Sequence, residues 1–224
     1  MKFHSEYKQL GVVELPQFTG LRLMMLPVII GDSASIPDFA QSYNRLFEEI
    51  SDMPHASDHK GCVGYLTIDE KLVKPQTSHR RGGLHVDGIY RGSAGGWGGG
   101  GSWGGGEGPI DDDGEPSGPG MLTVSNPPGC IAYNQWFEGT PGDEGECDHL
   151  GSQCRNGELL EPNRVYWLNP VCVHESIPLN EETTRQFIRL SLPSTAPWFE
   201  GYTENPLGIK PTGPILAERE FMKV

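Results

Sequence analysis

An all-β core, either a sandwich or a barrel with one flanking helix, is the fold class this sequence predicts. Three observations carry that expectation. The 224 residues include 31 Gly and 19 Pro, which favour short strands joined by turns over long helices. Short segments rich in Val, Ile, Leu, Tyr or Cys recur along the chain, bounded by Gly, Pro or Asn. Only one stretch has apolar residues at helical spacing.

Taken in order, residues 9–31 are apolar and β-leaning. The helix follows. Ser35 can cap it, Pro37 suits its first turn, and Phe39, Tyr43, Leu46, Phe47 and Ile50 form one apolar face until Pro54 ends it. That face is expected to pack on the outside of a sheet. Strands are then expected over 61–68, 84–89, 121–125, 129–135, 164–168, 171–176 and 186–192. Residues 92–120 interrupt the series with a six-residue repeat centred on Trp97 and Trp103, followed by Asp111-Asp112-Asp113. Composition favours a linker-like insertion. Two large rings close to Asp87 favour a mobile lid over 92–108 equally. From Ser194 onward, Pro197, Pro206, Pro211 and Pro214 point to an extended tail wrapping the surface.

The formal charge of −13 repels a phosphate backbone, so nucleic acid is not an expected partner. No apolar run reaches the roughly 20 residues of a membrane span. The first residues lack a signal-peptide core, and five cysteines are scattered and odd in number. These features are expected of a cytoplasmic protein with reduced thiols. The oligomeric state is open.

The chemistry-bearing pattern is Leu84-His85-Val86-Asp87-Gly88 with Val171-Cys172-Val173-His174 far downstream. On a strand, positions i and i+2 point to one face, so His85 and Asp87 converge. Two imidazoles and one carboxylate form a facial triad that leaves adjacent positions of a metal open. A lone His-x-Asp also fits an exposed turn, and His174 alone also fits a hydrogen-bonded core histidine. Further along, Arg185, Phe187, Arg189 and Ser191 alternate on one strand face. A buried guanidinium needs an anion, and its planar donor fork matches a carboxylate. An ordinary salt bridge remains the alternative.

His-x-Asp, a distal His and a following Arg-x-Ser together resemble the iron(II)/2-oxoglutarate-dependent oxygenases over roughly residues 60–195. The resemblance implies a double-stranded β-helix, a jelly-roll barrel, within a single domain spanning 1–224. It implies iron held by His85, Asp87 and His174. It implies that Arg189 and Ser191 hold the distal carboxylate of 2-oxoglutarate, with Arg185 as the fallback. O2 and 2-oxoglutarate would be consumed, giving succinate and CO2 and ending in hydroxylation, desaturation or ring closure on a small metabolite. A narrower likeness, carried by residues 78–85, the Gly-Trp-Gly segments and Arg185-Gln186-Phe187, is to fungal members that close an aziridine ring on an amino acid. Around the triad, Tyr133 or Asn134 is expected to face the cavity, Tyr133 near the cosubstrate. Phe187 is expected to wall it, Trp97 and Trp103 to cover it, and Arg80 and Arg81, with His79, to bind a substrate carboxylate.

Two other classes compete: a cupin-type metal-dependent dioxygenase or isomerase that does not use 2-oxoglutarate, and a non-catalytic ligand-binding barrel. Weaker patterns are set aside. Gly100-Gly101-Ser102-Trp103-Gly104 matches a nucleophile elbow without its strand–turn–helix context. Cys147, His149 and Cys154 lack a fourth zinc ligand. His55 and His59 fall in a polar loop, and Cys62, Cys130 and Cys172 read as small core residues.

Overall fold

The computed structural model describes residues 2–87, 118–142, 145–193 and 198–217. Strands account for 37% and helix for 14%, so the core is mostly antiparallel β-sheet. The strands are β1 Lys2–Ser5, β2 Tyr7–Val12, β3 Arg22–Ile29, β4 Val63–Val73, β5 Met121–Asn126, β6 Cys130–Ala132, β7 Gln135–Glu138, β8 Glu158–Leu159, β9 Arg164–Leu168, β10 His174–Ser176, β11 Thr183–Ser191, β12 Trp198–Phe199 and β13 Ile215–Leu216. Among the described residues, no helix is long and apolar enough to cross a membrane.

Six strands form the large sheet in the order β2-β9-β5-β11-β4-β3. A smaller sheet has the order β10-β6-β8, and single bridges from His85 to His174 and to Glu146 extend it. The large sheet has two unlike faces because side chains alternate. On its outer face Ile188 sits between Ile68 and Val124, and Leu190 between Leu66 and Leu122. These pack with Leu26, Val28, Val165 and an α-helix, α1 Asn44–Ser51, through Leu46, Phe47 and Ile50. Each such side chain, fully buried, contributes roughly 1.5–3 kcal/mol. The inner face carries Arg185, Phe187, Arg189 and Ser191. Nearby, Met121, Tyr166 and Leu168 of the large sheet pack on Ala132 and Cys130 of the small one.

Glu70 ties the outer layer down. Its carboxylate accepts from the Thr19 and Leu21 amides at 2.8 and 2.7 Å, from the Tyr43 hydroxyl, and from Gln186 Nε2 at 2.8 Å. Those donors, with Thr19 Oγ1 as a further one, keep Glu70 ionised below the usual carboxylate range although burial alone would raise it.

Several expectations shift. The helix does not start at Ser35. Two 3-10 segments, Ser33–Ser35 and Asp38–Tyr43, precede α1. Asp32 caps the first through its side chain, and Ser35 Oγ bonds back to the Asp32 carbonyl. Pro37 stands before the second segment, which gets no side-chain cap. Phe39 is exposed, while Tyr43, Leu46, Phe47 and Ile50 are buried as expected. The strand expected over 129–135 is two strands, β6 and β7. Cys62 is exposed rather than core, whereas Cys147 is fully buried. His55 is not merely solvated, because its ring stacks on Trp167 at 4.1 Å. In the tail, β12 and β13 pair in parallel, and Trp198, Phe199 and Tyr202 pack on Met25 and Tyr65.

Candidate metal centre

Backbone pairing brings the two histidines together. The His85 amide donates to the His174 carbonyl and the His174 amide to the His85 carbonyl, each at 2.9 Å. Residues paired this way lie directly opposite and point to the same side, so the rings come to 4.4 Å between centroids. Asp87, two residues after His85, joins that face. One donor atom from each of His85, Asp87 and His174 lies within 4.8 Å of the others, and all three residues are buried.

Hydrogen bonds fix which imidazole nitrogen is available. His85 Nδ1 is 2.8 Å from the Gly83 carbonyl, and His174 Nδ1 is 2.9 Å from the Cys172 carbonyl. A carbonyl oxygen only accepts, so both Nδ1 atoms carry the proton and both Nε2 lone pairs are free to ligate. His174 Nε2 lies 3.7 Å from Asp87 Oδ2. Burial, and then the neighbouring His174, push the His85 pKa down to about 3 even though Asp87 opposes this. The ring is therefore neutral near pH 7. Burial alone would raise Asp87, but Arg189 and then the two imidazoles hold it at about 2. Neutral nitrogens and an ionised carboxylate are the states that coordinate a divalent cation. With bonds of about 2.0–2.2 Å to one ion, the donors need to draw inward by small side-chain rotations.

Arg189, 2% exposed, donates from Nη1 to Asp87 Oδ2 at 3.0 Å, and its Nη2 lies 3.6 Å from Met25 Sδ. Arg185, 1% exposed, is treated differently. Its Nε donates to the Pro127 carbonyl at 2.9 Å, Nη2 to Ser125 Oγ at 2.9 Å, and Nη1 to His79 Nδ1 at 3.0 Å. All three acceptors are neutral. Burial lowers its pKa to about 10, which still leaves a cation. The guanidinium fits closely: a Cβ at Gly129 would stand 2.9 Å from Arg185 Nε.

Two cavities meet at the triad. The first, about 50 Å³, is lined by Arg80, Arg81, Arg185, Ser176 and the triad itself. The second, about 30 Å³, is lined by Met121, Thr123, Leu160, Tyr166 and Leu168 and reaches Asp87 and His174. Cys130, Phe187 and Arg189 border both. Arg80 Nη1 bonds Asp69 Oδ2 at 2.9 Å, and its guanidinium lies 5.1 Å from the Phe187 ring centre.

The structure thus brings together His85, Asp87, His174, Arg185, Arg189, Phe187, Arg80 and Arg81. Other expected site residues sit elsewhere. Ser191 is fully buried, borders neither cavity, and its hydroxyl makes no hydrogen bond among the described residues. Tyr133 packs edge-on to Phe137 at 6.5 Å, in a cluster with Phe3 and Val173, because its neighbour Ala132 is the residue that faces His174. Asn134 is turned to the Tyr7 carbonyl at 3.4 Å. Trp97, Trp103 and the lid expected over 92–108 lie outside the described residues. Asp69, Ser125, Gly129 and Met25 were not legible as site residues. Met25 enters through a register shift in β3 between Leu23 and Leu26, with φ at 52°, and a bulge of that kind leaves no pattern in the sequence.

No family model, curated protein or solved structure matches this chain.

Proposed function

We propose that this chain is a non-heme iron(II), 2-oxoglutarate-dependent oxygenase acting on a small, carboxylate-bearing metabolite in the cytoplasm. The observation that carries the reading is the triad itself: two Nε2 lone pairs and one ionised carboxylate, drawn from distant segments, converge near buried Arg185, whose hydrogen-bond acceptors among the described residues are all neutral. Strand order supports a jelly-roll of the double-stranded β-helix type. Successive segments alternate between sheets: β4 in the large, His85 in the small, β5 large, β6 and β8 small, β9 large, β10 small, β11 large.

Iron bound to His85, Asp87 and His174 would supply O2 activation coupled to decarboxylation of the 2-oxo acid. The chain's own residues do the rest. The carbonyls of Gly83 and Cys172 hold the imidazoles in one tautomer. Arg189 keeps Asp87 ionised and oriented. Because Arg189 already serves Asp87, Arg185 is the better anchor for the distal carboxylate of the cosubstrate; Ser125 Oγ holds its Nη2, and the hydroxyl lining the same cavity is that of Ser176 rather than Ser191. Phe187 borders both cavities beside the donor face. The cationic cavity, lined by Arg80, Arg81 and Arg185 beside the triad, is where a five-carbon diacid would bind.

The test is aerobic incubation with iron(II), ascorbate and 2-oxoglutarate, following succinate across a panel of amino and carboxylic acids. Succinate formation that His174→Ala abolishes is the expected result. Metal-dependent turnover without succinate would favour the cupin-type reading. That reading draws on the Asp87–Arg189 bond, since it leaves Arg189 a structural role. Protein that retains no divalent metal and binds its ligand normally as His85→Ala would favour a non-catalytic barrel.

A further inference from the structure

His79 and Asp69 are buried ionisable groups that the proposed chemistry does not use. The His79 side chain is fully buried, and its Nε2 lies 3.2 Å from Asp69 Oδ2, within ion-pair reach though off the line of a hydrogen bond. On its other side, Nδ1 is 3.0 Å from Arg185 Nη1. A guanidinium has only donors, so Nδ1 must present its lone pair and the ring proton sits on Nε2, facing Asp69. The imidazole is neutral, since burial lowers its pKa more than Asp69 raises it. Asp69 is itself held by two arginines, Arg80 at Oδ2 and Arg22 Nε at Oδ1, each at 2.9 Å. Burial would raise its pKa, yet His79 and Arg80 hold it well below the usual carboxylate range. Phe187, paired with Asp69 across the β4–β11 ladder, sets its ring edge against His79 at 6.5 Å and limits imidazole rotation.

We propose that Asp69 and His79 form a positioning relay that sets the tilt of the Arg185 guanidinium, so that its fork meets a second carboxylate in the cationic cavity. The proposal rests on the reading of Arg185 as the cosubstrate anchor. His79 itself touches no ligand. Three of the five guanidinium N–H groups are committed to Pro127, His79 and Ser125, and the two that remain are aimed by those three bonds. Without an acceptor at His79, Nη1 loses its fixed direction, and selectivity for a diacid over a monoacid falls. None of the three metal donors is among the bonded partners of His79 or Asp69.

The experiment is calorimetric binding, without oxygen, to protein loaded with manganese(II). Two probes share the 2-oxo acid end: 2-oxoglutarate, and 2-oxobutanoate, which lacks the distal carboxylate. A charged hydrogen-bond pair is worth about 1.5–3 kcal/mol, or roughly 10–100-fold. Wild type is expected to prefer the diacid by at least about that range. His79→Leu is expected to lose about tenfold of that preference with 2-oxobutanoate affinity unchanged. His79→Gln, whose amide oxygen can accept from Nη1, is expected to recover part of it. Should His79→Leu fail to fold by near-ultraviolet circular dichroism, His79→Phe, which keeps a ring but offers no acceptor, decides by the same loss. A folded His79→Leu or His79→Phe variant that keeps the full preference overturns the relay while leaving the anchor intact. A wild type with no preference between the probes overturns both.

Discussion

Removing Arg189 strands a buried charge, and the size of that effect tests how the metal centre is held. Asp87 is 8% exposed and takes Arg189 Nη1 at 3.0 Å. In Arg189→Met the carboxylate loses its main compensating charge while its desolvation remains. Breaking a buried pair from one side costs about 3–5 kcal/mol. The Asp87 pKa should then climb from about 2, and part of the loss is recovered as the group protonates below neutral pH. Asp87→Asn alone removes the charge but leaves Arg189 facing an amide. In the double variant neither charge is stranded, so its loss should fall short of the two single losses added together by at least about 1.5 kcal/mol. Urea unfolding at pH 7, with a chelator present, gives all three values. Additive losses across the cycle would refute the claim that Arg189 holds Asp87 by charge.

Three further outcomes follow from the same geometry. His85 is neutral when folded, with its pKa lowered to about 3 against about 6.5 unfolded. Its contribution is thus present above pH 6.5 and lost as pH falls toward 3. Stability should drop by about 2 kcal/mol between pH 6.5 and 5 from this ring alone, and His85→Asn should flatten that slope in chemical denaturation. Gly129→Ala places a Cβ 2.9 Å from Arg185 Nε, so 2-oxoglutarate affinity should fall while divalent-metal affinity holds, as read by calorimetry. Ile188→Ala, on the outer face between Ile68 and Val124, should cost about 2–5 kcal/mol in urea unfolding and leave metal affinity unchanged.

The part of this arrangement that was legible in the sequence is the part written in short periods. The i, i+2 spacing of His85 and Asp87 and the alternation along Arg185, Phe187, Arg189 and Ser191 state their faces outright, and β9 is found residue for residue. Distances between segments are not written that way. Nothing near Asp69 announces that its carboxylate will meet His79, Arg80 and Arg22, because that depends on the β4–β11 register and on the path of residues 74–81. The helix start moves because Ser35, which has a capping side chain, uses its hydroxyl to close a turn on Asp32. Ser191 follows Arg189 in the expected pattern, but the hydroxyl beside a guanidinium comes from β5, at Ser125. Tyr133 points away from the site because β6 ends at Ala132, three residues before the expected end at 135, and Ala132 is the residue opposite His174.

The strand β11 is one wall with two tenants. Arg185, Phe187 and Arg189 face the site, whereas Ile188 and Leu190 face the oil of the outer layer and Gln186 bonds Glu70 at its edge. A slip of a single residue would drive Arg185 and Arg189 under the helix and lift Ile188 and Leu190 into the donor chamber, ruining both at once. A variant library over positions 188 and 190 should therefore accept other apolar side chains and reject charged ones.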